Sequence, residues 1–258
     1  MGMAGQRPGI ILIPSKADEG SREREMGYLI LGSGGLGTAL AHELSARGEE
    51  LVLAGRQLPK GVDPACYFPL QEVDVLSFDA LFTLYDTAPL PSVVINTIGL
   101  LHDINFMPER RVEEVNPRWL CDSLLANAWP QLALAACLSR RMTVDTRLWL
   151  CSLSDLAGSL GANETGSRYS YRMSKAALNM GARTLAHEWR ERFPAAGVVT
   201  VHPGLMATPM NQPFLDELAA ETLQDPALVA PRLLDLINQL SPAQSGGFLD
   251  LQGLPLPW

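Results

Sequence analysis

A tyrosine and a lysine four residues apart stand at the start of the segment "YSYRMSKAALNM", residues 169–180. If the segment is helical, Tyr171 and Lys175 lie on one face within about 6 Å of each other, and Tyr169 does not share that face. A phenol beside an ammonium can act as an acid and a base, because the positive charge favours the phenolate and lowers the pKa of the tyrosine. An amphipathic helix end, with a tyrosine packed against a lysine stem, is the alternative interpretation.

A glycine-rich stretch, "YLILGSGGLGTALA", has the pattern strand, loop, helix. Its glycines fit G-x-G-x-x-G, which permits a tight turn and lets backbone N–H groups approach a pyrophosphate at the helix N-terminus. A glycine turn with a purely structural role is the alternative. The predicted cofactor loop consists of Gly32, Ser33, Gly34, Gly35, Leu36 and Gly37.

The next apolar run, "LVLAGRQ", carries Arg56 where an NAD site usually offers an acidic side chain to the ribose hydroxyls. A guanidinium there suits a 2′-phosphate, so the sequence favours NADP(H) over NAD(H). A solvated surface arginine is the alternative. In "VDVLSFDAL", Asp74 and Val75 offer an acidic side chain and an apolar contact to the adenine.

Composition limits the partners that the chain can have. With 258 residues, 47% hydrophobic and 19% charged, it has the size and composition of one globular domain. A net charge of −8 argues against nucleic acid or an anionic membrane as the main partner, and no apolar run is long enough to span a bilayer. The four cysteines form no CxxC pair or metal-ligand cluster, which predicts no metal and favours a reduced cytoplasmic setting.

Short apolar runs alternate with helical patterns from residue 27 onward: "YLIL", "LVLAG", "SVVINTIG", "RLWLCSL" and "GVVTVHPG". This alternation predicts an α/β fold of the Rossmann type, a doubly wound parallel sheet in a single domain. We expect residues 1–25 to form a loosely held extension and residues 26–258 to form the nucleotide-binding domain. Met26, directly before "GYLILGSGG", is a candidate for the natural initiator, which intact-mass measurement of the native protein would test.

With the glycine loop, "NTIG", "YRMSK" and "HPGLMAT" in this order, the sequence resembles the short-chain dehydrogenase/reductase superfamily. Within it, the chain most resembles the C-factor-like (C-signal) group through "YSYRMSKAALNM", "HPGLMATPMNQPF" and "GGFLDLQGLPLPW". The resemblance covers about residues 27–258. It implies a Rossmann fold, a nicotinamide cofactor and an Asn-Ser-Tyr-Lys catalytic set.

The resemblance implies that Tyr171 is the general acid/base and that Lys175 holds the ribose hydroxyls and stabilises the phenolate. The asparagine of the set falls best on Asn127 in "SLLANAWPQLALAAC", and Asn116, expected at the helix entry, is the alternative. We expect one long helix that bends at Pro130, because proline leaves a carbonyl without its helical partner. Such a bend would free polar groups for a bound water in a proton relay.

The serine of the set has two candidates in "LWLCSLSDLAGS", Ser152 and Ser154. Alignment on "AGS" favours Ser154, with Asp155 next to it, although the register can slip by one or two residues. Two departures from the family pattern reduce the expected cofactor affinity mildly. Leu31 replaces the first glycine of the longer-spaced variant of the glycine motif, and Ile98 replaces the usual alanine of the Asn-x-Ala-Gly turn.

Two further stretches complete the predicted site. The turn after "GVVTV" places backbone groups at the carboxyl edge of the sheet, where they can meet the nicotinamide. Residues 205–225 are predicted to form an apolar lid containing Met206, Met210, Phe214 and Leu215, with ordinary core packing as the alternative. Besides the glycine loop, Arg56, Asp74 and Val75, the predicted cofactor contacts are Asn96, Thr97, Ile98, Gly99, Tyr171, Lys175, Pro203, Gly204 and Thr208.

The favoured function is NADPH-dependent reduction of a small apolar carbonyl compound, or oxidation of the corresponding alcohol. A dinucleotide-binding signalling or regulatory protein with little turnover is the alternative, because the C-factor group takes its name from signalling. The helical stretches "WLCDSLLANAWPQLALAACL" and "AALNMGARTLAHEW" carry more apolar surface than one sheet face needs. We therefore expect a homodimer or homotetramer that pairs through them.

Overall fold

The computed structural model describes residues 27–217 and 223–258. The expected N-terminal extension and Met26 lie outside the described residues. Parallel pairing throughout joins seven strands in the order β3-β2-β1-β4-β5-β6-β7. They are β1 (Tyr28–Leu31), β2 (Leu51–Gly55), β3 (Tyr67–Pro69), β4 (Val93–Asn96), β5 (Trp149–Leu153), β6 (Gly197–Val201) and β7 (Gly247–Leu249). The predicted Rossmann-type α/β fold is confirmed.

Helices cover both faces of this sheet. They are α1 (Gly35–Arg47), α2 (Val75–Phe82), α3 (Pro117–Asn127), α4 (Trp129–Ser139), α5 (Tyr169–Arg192) and α6 (Pro226–Asn238). Alternate residues of the strands lie on opposite faces of the sheet and belong to two hydrophobic cores. Leu29 packs with α2, α4 and α5, and Ile30 packs with α1 and α6. Because both faces are covered, the strands are continuous apolar runs rather than alternating ones.

The strand order reverses between β1 and β4, so the connections that leave these two strands run to opposite sides of the sheet. A crevice forms at the carboxyl edge at such a point. The glycine loop leaves β1 there, and the "NTIG" turn leaves β4 there. This topology positions the candidate site.

The expectation of one long helix that bends at Pro130 is wrong. Instead of one long helix that bends, the chain forms α3 and α4, which are separated at Ala128. Pro130 lies in the first turn of α4, where its missing N–H costs no hydrogen bond. The proline therefore starts a new helix rather than bending an existing one, and Asn127 becomes the last residue of α3.

Across the described ranges, no helix is both long enough and apolar enough to cross a membrane.

Candidate active site

A cavity of about 830 Å³ occupies the crevice at the carboxyl edge of the sheet. Its wall runs from the glycine loop and Arg56 at one end to Tyr171, Lys175 and Ser154 at the other. The size suits a large ligand, since small-molecule sites commonly have volumes of about 300–1,000 Å³. The structure thus places both groups of predicted residues around one space.

All six residues of the predicted cofactor loop line this cavity. Gly32 has a φ of +100°, which favours glycine, and a Cβ at Gly37 would overlap the carbonyl oxygen of Gly32. The Thr97 hydroxyl donates to the Leu31 carbonyl at 2.8 Å, which ties the loop to the "NTIG" turn. A Cβ at Gly34, by contrast, would meet no protein atom within 4 Å. Gly34 therefore faces open space at the N-terminus of α1, where the helix dipole and backbone N–H groups favour an anion.

Arg56 follows the last residue of β2 and is exposed at the cavity rim. Its guanidinium has no carboxylate partner within 4.0 Å among the residues described. Its backbone carbonyl accepts a hydrogen bond from Gln71, whose side chain also lies at this rim. A positive charge is thus available at the end of the cavity farther from Tyr171.

Asp74, which is expected to face the adenine, has a capping role in this structure. Its side chain accepts from the Ser77 N–H at 2.8 Å and caps α2, a position for which aspartate is among the preferred residues. Val75 packs against the core that contains α2. Neither residue belongs to the cavity lining, which Gln71 and Val73 provide at this point.

The residues of the "NTIG" turn do not all line the cavity. Thr97, Ile98 and Gly99 line the cavity, whereas Asn96 is buried behind it. The side-chain oxygen of Asn96 accepts from the Ile98 N–H at 3.1 Å, and its side-chain nitrogen donates to the Ser152 hydroxyl at 3.4 Å. Asn96 therefore shapes the turn and joins β4 to β5 instead of lining the cavity.

Tyr171 and Lys175 are both buried and lie on one face of α5, with the Lys175 Nζ 5.8 Å from the centroid of the Tyr171 ring. The ammonium donates to the Leu153 carbonyl at 3.0 Å. Burial lowers the pKa of Lys175 from 10.5 to about 8, because removing an ammonium from water disfavours its charged form. Tyr169 is absent from the cavity lining.

The expected effect of the lysine on the tyrosine is wrong for this structure. The Tyr171 hydroxyl donates to Asp155 Oδ2 at 2.9 Å. Burial first, and then the charge of Asp155 and this hydrogen bond, raise the pKa of Tyr171 well above its usual 10.0. Burial and the carboxylate therefore act in the same direction, opposite to the one expected from the lysine.

The two candidate serines differ in their surroundings. Ser152 lies within β5, fully buried, and its hydroxyl accepts from Asn96. Ser154 lines the cavity and is 4% exposed, and its hydroxyl has no hydrogen-bond partner among the described atoms. A buried hydroxyl without a partner carries a desolvation cost. Of the two, Ser154 is the serine available to a ligand.

Asn127 is fully buried, and both polar atoms of its side-chain amide are hydrogen-bonded. Its oxygen accepts from the Leu100 N–H at 2.7 Å, and its nitrogen donates to the Leu100 carbonyl and to the Ser174 hydroxyl, both at 2.8 Å. The amide thus joins α3 to α5 and to the loop after β4. Its side-chain oxygen keeps a second lone pair, so the expected water relay stays a prediction. Asn116 caps α3, as expected of a residue at the helix entry.

Two acidic residues near the site were not among the predicted site residues. Asp155 directly follows Ser154, and its other oxygen accepts from the Ala157 N–H at 2.8 Å, which caps a short 3₁₀ turn. Glu109 is buried and accepts from both the N–H and the hydroxyl of Ser170 at the start of α5. Only the "SD" pair after a strand hinted at Asp155, and no sequence signal indicated Glu109.

The loop after β6 closes one side of the cavity. Pro203, Gly204 and Thr208 line it, and Gly204 has a φ of +81°. Of the predicted lid, Met206 and Met210 line the cavity, whereas Phe214 contacts the His102 ring with the two centroids 5.7 Å apart. The Leu215 side chain and residues 218–222 lie outside the described part of the chain. His202, which was not predicted, also lies in the wall.

Within residues 27–217 and 223–258, no group of three or more His, Cys, Asp or Glu side chains could hold a metal ion.

No family model matches the chain. It is 42% identical over 103 residues to the C-signal of Myxococcus xanthus, a match covering 39% of this chain and 55% of that protein. It is 38% identical over 101 residues to 1-hydroxy-2-glutathionyl-2-methyl-3-butene dehydrogenase of Rhodococcus sp. (strain AD45), covering 39% of this chain and 42% of that protein. The chain therefore spans about half the length of the curated relatives that it matches.

Solved structures agree with the fold. An NADPH-bound carbonyl reductase from chicken fatty liver superposes with a TM-score of 0.73 at 20% identity, covering 91% of this chain and 100% of that one. At this identity, the likeness supports the architecture alone.

Proposed function

We propose that this chain, which is a member of the short-chain dehydrogenase/reductase superfamily, is a nicotinamide-dependent oxidoreductase acting on a carbonyl or alcohol group. One observation carries the proposal. A single cavity joins an open helix N-terminus at Gly34 to a buried tyrosine and lysine, Tyr171 and Lys175, at its far end. A dinucleotide requires an anion-binding end for its pyrophosphate, and a small substrate requires an acid/base group beside it. This cavity offers both.

The residues present fit NADP(H). The glycine loop offers backbone N–H groups for the pyrophosphate, and Arg56 offers a cation for a 2′-phosphate. Lys175 lies close enough to the turn at Gly99 for its ammonium to reach a ribose hydroxyl, since a Cβ at Gly99 would lie 3.6 Å from its Nζ. The bound nicotinamide supplies the hydride.

Side chains of the protein transfer the proton and stabilise the developing charges. Tyr171 donates its hydroxyl proton to the substrate oxygen as negative charge develops there, and it accepts that proton in the reverse direction. The unpartnered hydroxyl of Ser154 donates a hydrogen bond to the same oxygen. Lys175 stabilises the phenolate that Tyr171 leaves behind. Asn127 holds α3 and the loop at residue 100 against α5, and so keeps Tyr171 in place.

A fluorescence titration with NADPH and NADH, followed by a panel of small apolar ketones and aldehydes monitored at the nicotinamide absorbance, tests the proposal. We expect tighter binding of NADPH and turnover of at least one compound. Failure to bind either cofactor would refute the proposed dinucleotide site. Only the assignment of the fold would then be left.

The second candidate is a dinucleotide-binding signalling protein with little turnover. The match to the C-signal of Myxococcus xanthus favours it. The same titration separates the two functions. Tight NADPH binding without turnover of any member of the panel would support the signalling function over the enzyme.

We also propose a homodimer or homotetramer in the cytoplasm. Large apolar side chains are exposed on α3, α4 and α5, namely Leu125, Trp129, Leu132, Met173 and Met180. Pairing through these helices would remove them from water. Light scattering that returned a monomer at micromolar concentration would contradict the proposed assembly.

A further inference from the structure

Asp155 is the one acidic residue in the wall of the cavity formed by the described residues. It lies at the reacting end, because its Oδ2 accepts from the hydroxyl of Tyr171. Its Oδ1 accepts from Ala157, which fixes the orientation of the carboxylate. A negative charge is therefore held beside the group that would touch the substrate.

No direct ion pair compensates this charge in the described part of the chain. None of the salt bridges within 4.0 Å includes Asp155. The ammonium of Lys175 donates to the Leu153 carbonyl and interacts with the charge of Asp155 only beyond ion-pair distance. A cation that enters the cavity can thus become the partner of Asp155.

The position of Asp155 works against a neutral carbonyl substrate. Reduction of a carbonyl places negative charge on its oxygen, and a carboxylate hydrogen-bonded to the same tyrosine repels that charge. Asp155 also raises the pKa of Tyr171, which makes the tyrosine a weaker proton donor. A substrate that needs no proton and brings a positive charge avoids both penalties.

On this geometry, we propose that Asp155 makes the cavity selective for substrates in which the reacting double bond is a positively charged C=N, an iminium ion. The inference rests on the proposed hydride transfer and extends its substrates from carbonyl compounds to iminium ions. The hydride forms a C–H bond at the iminium carbon, and the π pair of the C=N bond becomes the nitrogen lone pair. The product is a neutral amine, the reduced nicotinamide becomes the oxidised cation, and no proton is transferred.

The test compares two substrates of similar ring size. N-methyl-3,4-dihydroisoquinolinium carries a permanent charge, and 1-tetralone is a neutral ketone. NADPH oxidation at saturating cofactor gives kcat/KM for each. We expect the wild-type protein to prefer the iminium, and Asp155→Asn to reduce the iminium-to-ketone ratio about 10- to 100-fold, the range for one charge-assisted contact.

Asparagine is chosen at position 155 because its side-chain oxygen can still cap the 3₁₀ turn. Asp63→Asn is the matched control, since Asp63 caps a 3₁₀ turn in the same way, through the Ala65 N–H at 2.9 Å, and lies outside the cavity lining. This control should leave the ratio unchanged. Tyr171→Phe should lower ketone reduction far more than iminium reduction, because only the ketone needs a proton.

Binding to the protein without cofactor gives a second readout. Calorimetric titration with N,N-dimethyl-1,2,3,4-tetrahydroisoquinolinium, a saturated cation that cannot accept a hydride, should show about 10- to 100-fold weaker binding to Asp155→Asn than to wild type. Equal affinities, an unchanged ratio in Asp155→Asn, or a wild-type preference for the ketone would overturn the inference and leave the proposed function standing. Bound NADPH with no turnover of either substrate would overturn both.

Discussion

Lys175 is a buried lysine whose proton should leave the folded protein before it leaves the unfolded chain. Burial lowers its pKa from 10.5 to about 8. Between about pH 8 and 10.5, the unfolded chain binds more protons than the folded one, so stability rises with pH across that window. At about 1.4 kcal/mol for each tenfold change in proton affinity, the full gain is about 3 kcal/mol.

The perturbation is Lys175→Met, which keeps the length of the side chain and removes its charge. Urea unfolding of the protein without cofactor, measured from pH 7 to 10.5, gives the free energy of unfolding of both proteins. Relative to the variant, the wild type should gain up to about 3 kcal/mol as the pH rises from 8 to 10.5. Taking the difference cancels groups that titrate in both proteins, such as Cys151, whose burial raises its pKa to about 12.

Lys60→Met, which removes an exposed lysine, supplies the matched control. Its free energy of unfolding should show the same rise with pH as that of the wild type, because Lys175 is intact. If the Lys175→Met and wild-type curves run parallel over the whole range, the ammonium is solvated in the folded protein. That result would refute a lowered pKa of Lys175 through burial.

Four other predictions concern the cavity. Tyr171→Phe should lower carbonyl turnover about 10²- to 10⁴-fold with little change in NADPH affinity, and Tyr169→Phe should not; wild-type turnover in the first variant would contradict the assignment. Arg56→Ala should weaken NADPH binding about 10- to 100-fold in a fluorescence titration and leave NADH binding nearly unchanged; equal losses would make it a surface charge. Gly37→Ala should lower stability in urea unfolding by about 1–3 kcal/mol or more, because its Cβ overlaps a carbonyl oxygen. Gly34→Ala should keep the stability and lose NADPH affinity, and unchanged affinity would place the pyrophosphate elsewhere.

The fold could be predicted because its signals are local. The apolar runs that became β1, β2, β4, β5 and β6 are long enough to be recognised, whereas β3 and β7 have only three residues each and escaped notice. Residues four apart on any α-helix share a face, so the spacing of Tyr171 and Lys175 was enough to predict that they lie side by side. The glycine loop could be predicted for a similar reason. Its glycines, which lack side chains, stand within six consecutive residues.

Local sequence could not decide which polar groups meet across the chain. Asp155 and Tyr171 are 16 residues apart, and their hydrogen bond exists because β5 and the start of α5 converge at one edge of the sheet. Burial of the phenol and then that contact raise the tyrosine pKa, opposite to the expected direction. In the same way, the sequence did not indicate that Asp74 caps α2 through the Ser77 N–H.

The sequence by itself determined the fold class, the glycine loop and the pair Tyr171 and Lys175, because each depends on spacing within a few residues. Tertiary structure alone decided that Ser154 rather than Ser152 lies in the cavity wall, and that Asp155 touches the tyrosine. The physical reason is that burial and electrostatic environment depend on all the elements packed around a group. Segments distant in the chain supply most of those neighbours.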